Sequence, residues 1–198
     1  MRRAVGALAL CTSVACAEEP PGALNPDVVS ALATQVGDAV GVEPSGVYAI
    51  ELTPDECGCS DIDQQLWALT LCQRGTFGPL GDDVTLQTTF DVVASDGIID
   101  LSTDAVTANP VGALDAEGTF DAGAVTRLTS LAATGFQITR VDGTVFPEGD
   151  ADFSVEGRIQ MRLIGRLELL GIEGIVTGVE DIDCVETMSF TGNRYIVR

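Results

Sequence analysis

The chain has 198 residues, 45% of them hydrophobic, with thirty acidic side chains against ten basic ones and a formal net charge of −20. That apolar content over that length supports a packed core and excludes wholesale disorder, while so acidic a surface repels nucleic-acid phosphates and anionic headgroups. Every basic residue is arginine and histidine is absent, which excludes Ser-His-Asp and Ser-Lys centres, Cys-His dyads, His-ligated zinc and lysine Schiff bases.

The first seventeen residues, MRRAVGALALCTSVACA, predict an export signal: Arg2 and Arg3 precede an uncharged stretch from Ala4 to Ala15 that is too short to span a bilayer. Two processing routes fit. Ala15-Cys16-Ala17 is a small-residue cleavage site that releases a chain starting at Glu18. Alternatively Ser13 to Cys16, SVAC, resembles a bacterial lipobox, with Ser13 where leucine is usual, which implies that the signal is residues 1–15 and that Cys16 is lipidated. Removal of the seventeen residues takes away two arginines and no acids, so the formal charge moves from −20 to −22. Residues 18–25, EEPPGALN, have the Pro-containing polar character of a tether. No later uncharged apolar run approaches the ~20 residues a spanning helix needs, so contact with a membrane is expected only through a lipid anchor.

A helix is predicted over 26–40. Asn25 is its N-cap, Pro26 its first position, Val28, Leu32, Val36 and Ala39 its apolar spacing, and Gly41 its terminator. From Gly46 to the end (domain 42–198) the signals are those of strands. GVYAIELT and QLWALTLC flank the acidic segment DECGCS, and VTLQTTFDVVA, GIIDLST, VGALDAEGTFDAG, FQITRV and GTVF follow. Asp96-Gly97 and Asp142-Gly143 read as type I′ turns, with Glu117-Gly118 as a weaker one.

The clearest element is Phe153 to Leu169. One parity carries Phe, Val, Gly, Ile, Met, Leu, Gly, Leu and Leu, and the other carries Ser, Glu, Arg, Gln, Arg, Ile, Arg and Glu. A helix would put Arg162 and Arg166 on the stripe of Ile159 and Leu163, so a strand is predicted. At ~3.3 Å per residue it extends roughly 55 Å, which predicts a bend or break at Gly157 or Gly165. Its arginines are expected to pair with carboxylates on neighbouring strands. The fold class is therefore mainly β: an antiparallel meander closed into a barrel or sandwich, with one N-terminal helix.

Gly46-Val47-Tyr48, opening the first strand after a helix, and Arg194 in the last strand resemble the lipocalin or calycin arrangement of an early Gly-x-Trp and a late arginine. Tyr48 stands where that pattern has tryptophan. The resemblance implies a barrel with an apolar cavity for a small ligand, with Tyr48 and Trp67 as candidate ligand contacts. Trp67 reads otherwise as core.

Closely spaced carboxylates could bind calcium, the one cofactor the sequence suggests, and the candidates are Asp115, Glu117, Asp121, Asp150 and Asp152. None of these stretches is an EF-hand loop, and Asp with Gly is also ordinary turn chemistry. Beyond the signal four cysteines remain: Cys57, Cys59, Cys72 and Cys184. Their spacing fits neither a zinc site nor a C-x-x-C redox centre, so two disulfides are expected in an exported chain. A Cys57–Cys59 ring would be strained, which leaves one of this pair for Cys72 and the other for Cys184. The expectation from sequence is an exported, non-catalytic envelope protein with a binding or structural role. A lipocalin-like carrier and a carboxylate-based hydrolase are the alternatives, and oligomeric state is open.

Overall fold

The computed structural model describes residues 24–41, 43–59, 70–72, 85–129, 133–148, 152–170 and 176–197. After helix α1 (Pro26–Leu32) come β1 (Gly46–Cys57), β2 (Leu86–Ser95), β3 (Ile98–Ser102), β4 (Val111–Leu114), β5 (Thr119–Thr129), β6 (Ala133–Glu148), β7 (Asp152–Leu170) and β8 (Val176–Val197). Each strand pairs antiparallel with its sequence neighbour, and β1 also pairs with β8, so the sheet closes into a barrel without a free edge.

Strand periodicity decides what lies inside. Alternate residues of β1, β2, β7 and β8 send Tyr48, Ile50, Leu52, Phe90, Ile159, Met161, Leu163, Met188 and Phe190 inward, each at most 2% exposed. They form one cluster, with the rings of Phe90 and Phe190 edge to face at 5.0 Å. An internal chamber large enough for water would leave these side chains accessible, so among the described residues the barrel interior is filled, as eight strands permit. The outward parity mixes charged residues such as Arg158 and Arg162 with exposed apolar ones such as Val93 and Phe136.

The helix begins as its capping signals dictate: the Asn25 side chain accepts the Asp27 N–H at 2.9 Å, with Pro26 in the first turn. It ends at Leu32 rather than continuing to residue 40. Thr34 and Gln35 close tight turns onto Ala31 and Leu32, and the Gly37 and Ala39 amides donate to Gly97 and Leu114 of the barrel. Tertiary hydrogen bonds win over helical spacing there, and a Cβ on Gly37 would lie 2.0 Å from the Leu114 carbonyl. Gly41, at φ +93°, therefore lies well beyond the helix end it was expected to make.

The long β7 alternation is also resolved by α1. The lone apolar residue on its polar parity, Ile164, packs outside the barrel with Leu24, Val29 and Ile138 beneath the helix. The expected break does not occur: pairing with β6 runs unbroken from Gly135↔Gly165 through Gly143↔Gly157.

Asp96-Gly97 turns β2 into β3 with both residues at positive φ, +46° and +80°, as a type I′ turn requires. Gly118, at φ +85°, turns β4 into β5. Asp142-Gly143 is not a turn but lies inside β6. Glycine is needed there for room, since a Cβ would come 2.2 Å from the Glu156 carbonyl and 3.0 Å from the Phe120 ring. Of the strand predicted over 65–72, residues 65–69 lie outside the described residues, and 70–72 form a bend and turn instead.

Candidate functional site at the cysteine end of the barrel

The two ends of the barrel are fastened by different chemistry. At one end β1 reaches Cys57, turns through Gly58, and meets β8. Cys57 bonds Cys72 with Cα atoms 5.8 Å apart, and Cys59 bonds Cys184 with Cα atoms 5.2 Å apart. The cysteines thus pair one near and one far in sequence, as expected, and the open choice resolves to Cys57–Cys72 and Cys59–Cys184. Such bridges fit an oxidising, exported location, and among the described residues no helix is long and apolar enough to cross a membrane.

Thr70, Leu71 and Cys72 enter this end and are buried. They are held by Glu186, fully buried on β8, whose Oε2 accepts the Leu71 N–H at 2.5 Å and the Cys72 N–H at 3.4 Å. A carboxylate with no solvent is costly unless amides or charges compensate it, and backbone N–H groups do so here. Gln137 and Thr139 of β6 are buried as well, and the Gln137 amide lies 3.1 Å from the Met161 sulfur. The cysteine end therefore buries a carboxyl, an amide and two threonines, whereas the buried polar residues elsewhere among the described residues are Ser45 and Ser154.

Glu186 was missed in the sequence reading, although a signal was present. Ile182, Cys184, Met188 and Phe190 share one parity of β8, and Glu186 is the acid among them. Beside this end a groove of about 700 Å³ passes Leu52, Leu71, Leu86, Thr88 and Tyr195.

At the other end the residues of the Gly-x-Tyr…Arg pattern do come together. Tyr48 and Arg194 are Cα partners across β1 and β8, and a Cβ on Gly46 would lie 2.6 Å from Arg194 Cδ. The Tyr48 hydroxyl donates to the Pro44 carbonyl at 2.6 Å. Arg194 donates to the Glu43 and Ser45 carbonyls and stacks 4.6 Å over the Phe153 ring. Burial pushes the Tyr48 hydroxyl up to about 12, partly opposed by the Arg194 charge. Tyr48 is thus fully buried in the core cluster of described residues. Trp67 and Cys16 lie outside the described residues.

The carboxylates singled out for calcium are dispersed. Asp115 accepts the Thr119 N–H at 2.7 Å, which is turn chemistry, and with Glu117 it borders a pocket of about 410 Å³ that Asp38 and Glu43 also line. Asp121 faces outward and forms a two-point pair with Arg140 at 2.8 and 2.7 Å. Asp152 opens β7 opposite Glu148, and Asp150 lies outside the described residues. Among the described residues no three Asp, Glu or Cys side chains converge to hold a metal ion.

The arginine stripe meets carboxylates on both sides. Arg158 pairs with Asp142, Arg162 with Asp183 and Arg166 with Asp181. Arg162 holds the Asp183 carboxyl below its usual range through their hydrogen bonds, and burial opposes this only in part. Comparison with family models, curated proteins and solved structures found no match.

Proposed function

We propose that this is an exported, non-catalytic β-barrel of the bacterial envelope that works through its outer surface as a binding or structural module. The observation that carries this reading is the filled interior fastened at both ends, by two disulfides at one and by Tyr48 and Arg194 at the other. A scaffold of this kind offers partners a rigid exterior rather than a chamber. The leader at 1–17 accounts for export, with either a lipid on Cys16 or release at Glu18, and residues 18–25 serve as the tether. The partner is another envelope protein; nucleic acid is disfavoured by the charge.

A second reading, a carrier of a small apolar ligand, is favoured by the groove at Leu52, Leu71 and Leu86, which moves the ligand away from Tyr48. One titration separates the two. With the neutral probe N-phenyl-1-naphthylamine, the module reading expects no saturable fluorescence. Saturable binding that is lost in Leu86→Trp would replace it with the carrier. Intact mass of the protein from cells expressing the full chain should show a lipidated Cys16 or a start at Glu18. A chain that retains Arg2 and Arg3 would overturn export.

A further inference from the structure

Glu186 is the one buried carboxylate among the described residues. It lies on β8 opposite Met161 of β7, on the same parity as the buried Met188, and its Oε2 accepts the buried amides of Leu71 and Cys72. A buried carboxyl is weak evidence for stability in itself, and here it is tied to one specific contact, the amides of Leu71 and Cys72. The specific choice at this position is covalent. Cys57 and Cys59 are separated only by Gly58, and either could take Cys72. Glu186 is the direct Cα partner of Cys57 across β1 and β8, and its Oε2 grips the amides of Leu71 and Cys72. Two residues earlier on the same face, Cys184 meets Cys59, while the Gly58 N–H donates to the Val185 carbonyl at 2.9 Å between them.

We propose that Glu186 is the positioning residue for disulfide pairing. It holds the Leu71–Cys72 backbone at the barrel end before oxidation, so that Cys72 meets Cys57 and Cys184 is left for Cys59. The hydrogen bonds and the Cys57–Cys72 bond support each other, and the coupling is reciprocal: the carboxylate raises the effective concentration of the two thiols, and the bond in turn protects the amides.

The test uses the mature chain with one bridge at a time, equilibrated against glutathione. Glutathione disulfide takes the two electrons and two protons of the protein thiols and ends as two glutathione thiols. In the Cys59→Ser/Cys184→Ser background, Glu186→Gln should lower the effective concentration for Cys57–Cys72 at least ~10-fold, the scale of one charge-assisted hydrogen bond. In the Cys57→Ser/Cys72→Ser background the same substitution should change Cys59–Cys184 by a clearly smaller factor, because that bridge does not contain the Leu71–Cys72 segment that Glu186 grips. Equal losses at both bridges, or none at either, would overturn the proposal, since general destabilisation acts on both alike. Hydrogen exchange supplies the second readout. In Cys57→Ser/Cys72→Ser, where the Cys57–Cys72 bond cannot form, the amides of residues 71 and 72 should stay protected and should exchange ~10-fold faster once Glu186→Gln is added. Loss of that protection while Glu186 is still present would show that the bridge positions the carboxylate, and would also sink the idea.

Discussion

The cysteine end and the arginine end solve one problem by different means. Both must stop a tube of apolar side chains from opening to water. The arginine end uses a guanidinium whose N–H groups cap the carbonyls of Glu43 and Ser45 and whose face covers Phe153. All of these partners come within a few residues of strand ends, so no long loop has to be restrained. At the cysteine end β1 finishes at Cys57 and β2 begins only at Leu86, with Thr70 to Cys72 docked between them in sequence. Holding so long an excursion costs chain entropy, and there covalent bonds replace hydrogen bonds. The chemistry of each end follows from the length of chain it must restrain.

The contrast breaks first at the disulfides. In the chain-entropy model, Cys59→Ser/Cys184→Ser opens a loop of 125 residues and should cost roughly 5 kcal/mol. Cys57→Ser/Cys72→Ser opens one of 15 residues and should cost roughly 3 kcal/mol. Urea unfolding of the two variants checks the order, and a larger loss from the short loop would mean that local packing, not chain entropy, sets the value of these bonds. The arginine end should instead respond to alkali. The Tyr48 hydroxyl titrates at about 12 in the fold against ~10 in an unfolded chain. A raised acid contributes stability that is complete below the unfolded value and is lost as pH rises through the folded one. About 2 kcal/mol should therefore disappear between pH ~10 and ~12, and Tyr48→Phe should remove that slope while leaving the disulfide ranking intact.

These ends also mark what a sequence can and cannot show. Period-two alternation made Phe153 to Leu169 a strand, and from many short strands the closed antiparallel meander followed. The odd residue Ile164 was visible, but its reason was not, because the helix that covers it packs from more than a hundred positions away. Asp142-Gly143 misled because the same dipeptide serves as a turn at Asp96-Gly97 and as a gap for Phe120 in β6; only the neighbouring strand distinguishes them. Near-and-far cysteine pairing could be deduced from ring strain. The choice between its two layouts could not, since it depends on Glu186, whose neighbours Leu71 and Cys72 are 115 and 114 residues distant in sequence.

The smallest effect, and a test of whether the outer wall matters at all, belongs to the ladder of arginines. Arg162 and Asp183 form its most complete pair, with two hydrogen bonds at 2.7 and 2.8 Å, yet the carboxylate is 55% exposed. Solvent screening holds such a pair to ~0.2–1 kcal/mol. A double-mutant cycle of Arg162→Ala and Asp183→Ala should return a coupling in that range and shrink towards zero at ~1 M salt, where the screening length is ~3 Å. Its pH dependence has the opposite sign from that of Tyr48. The Asp183 carboxyl is held below its usual range, so the coupling should be complete above an ordinary carboxylate pKa and fade as pH falls through the lowered one. A coupling well above 1 kcal/mol that persists in salt would place the ladder among the fastenings of the fold. A small and screened one leaves closure of the barrel to its two ends.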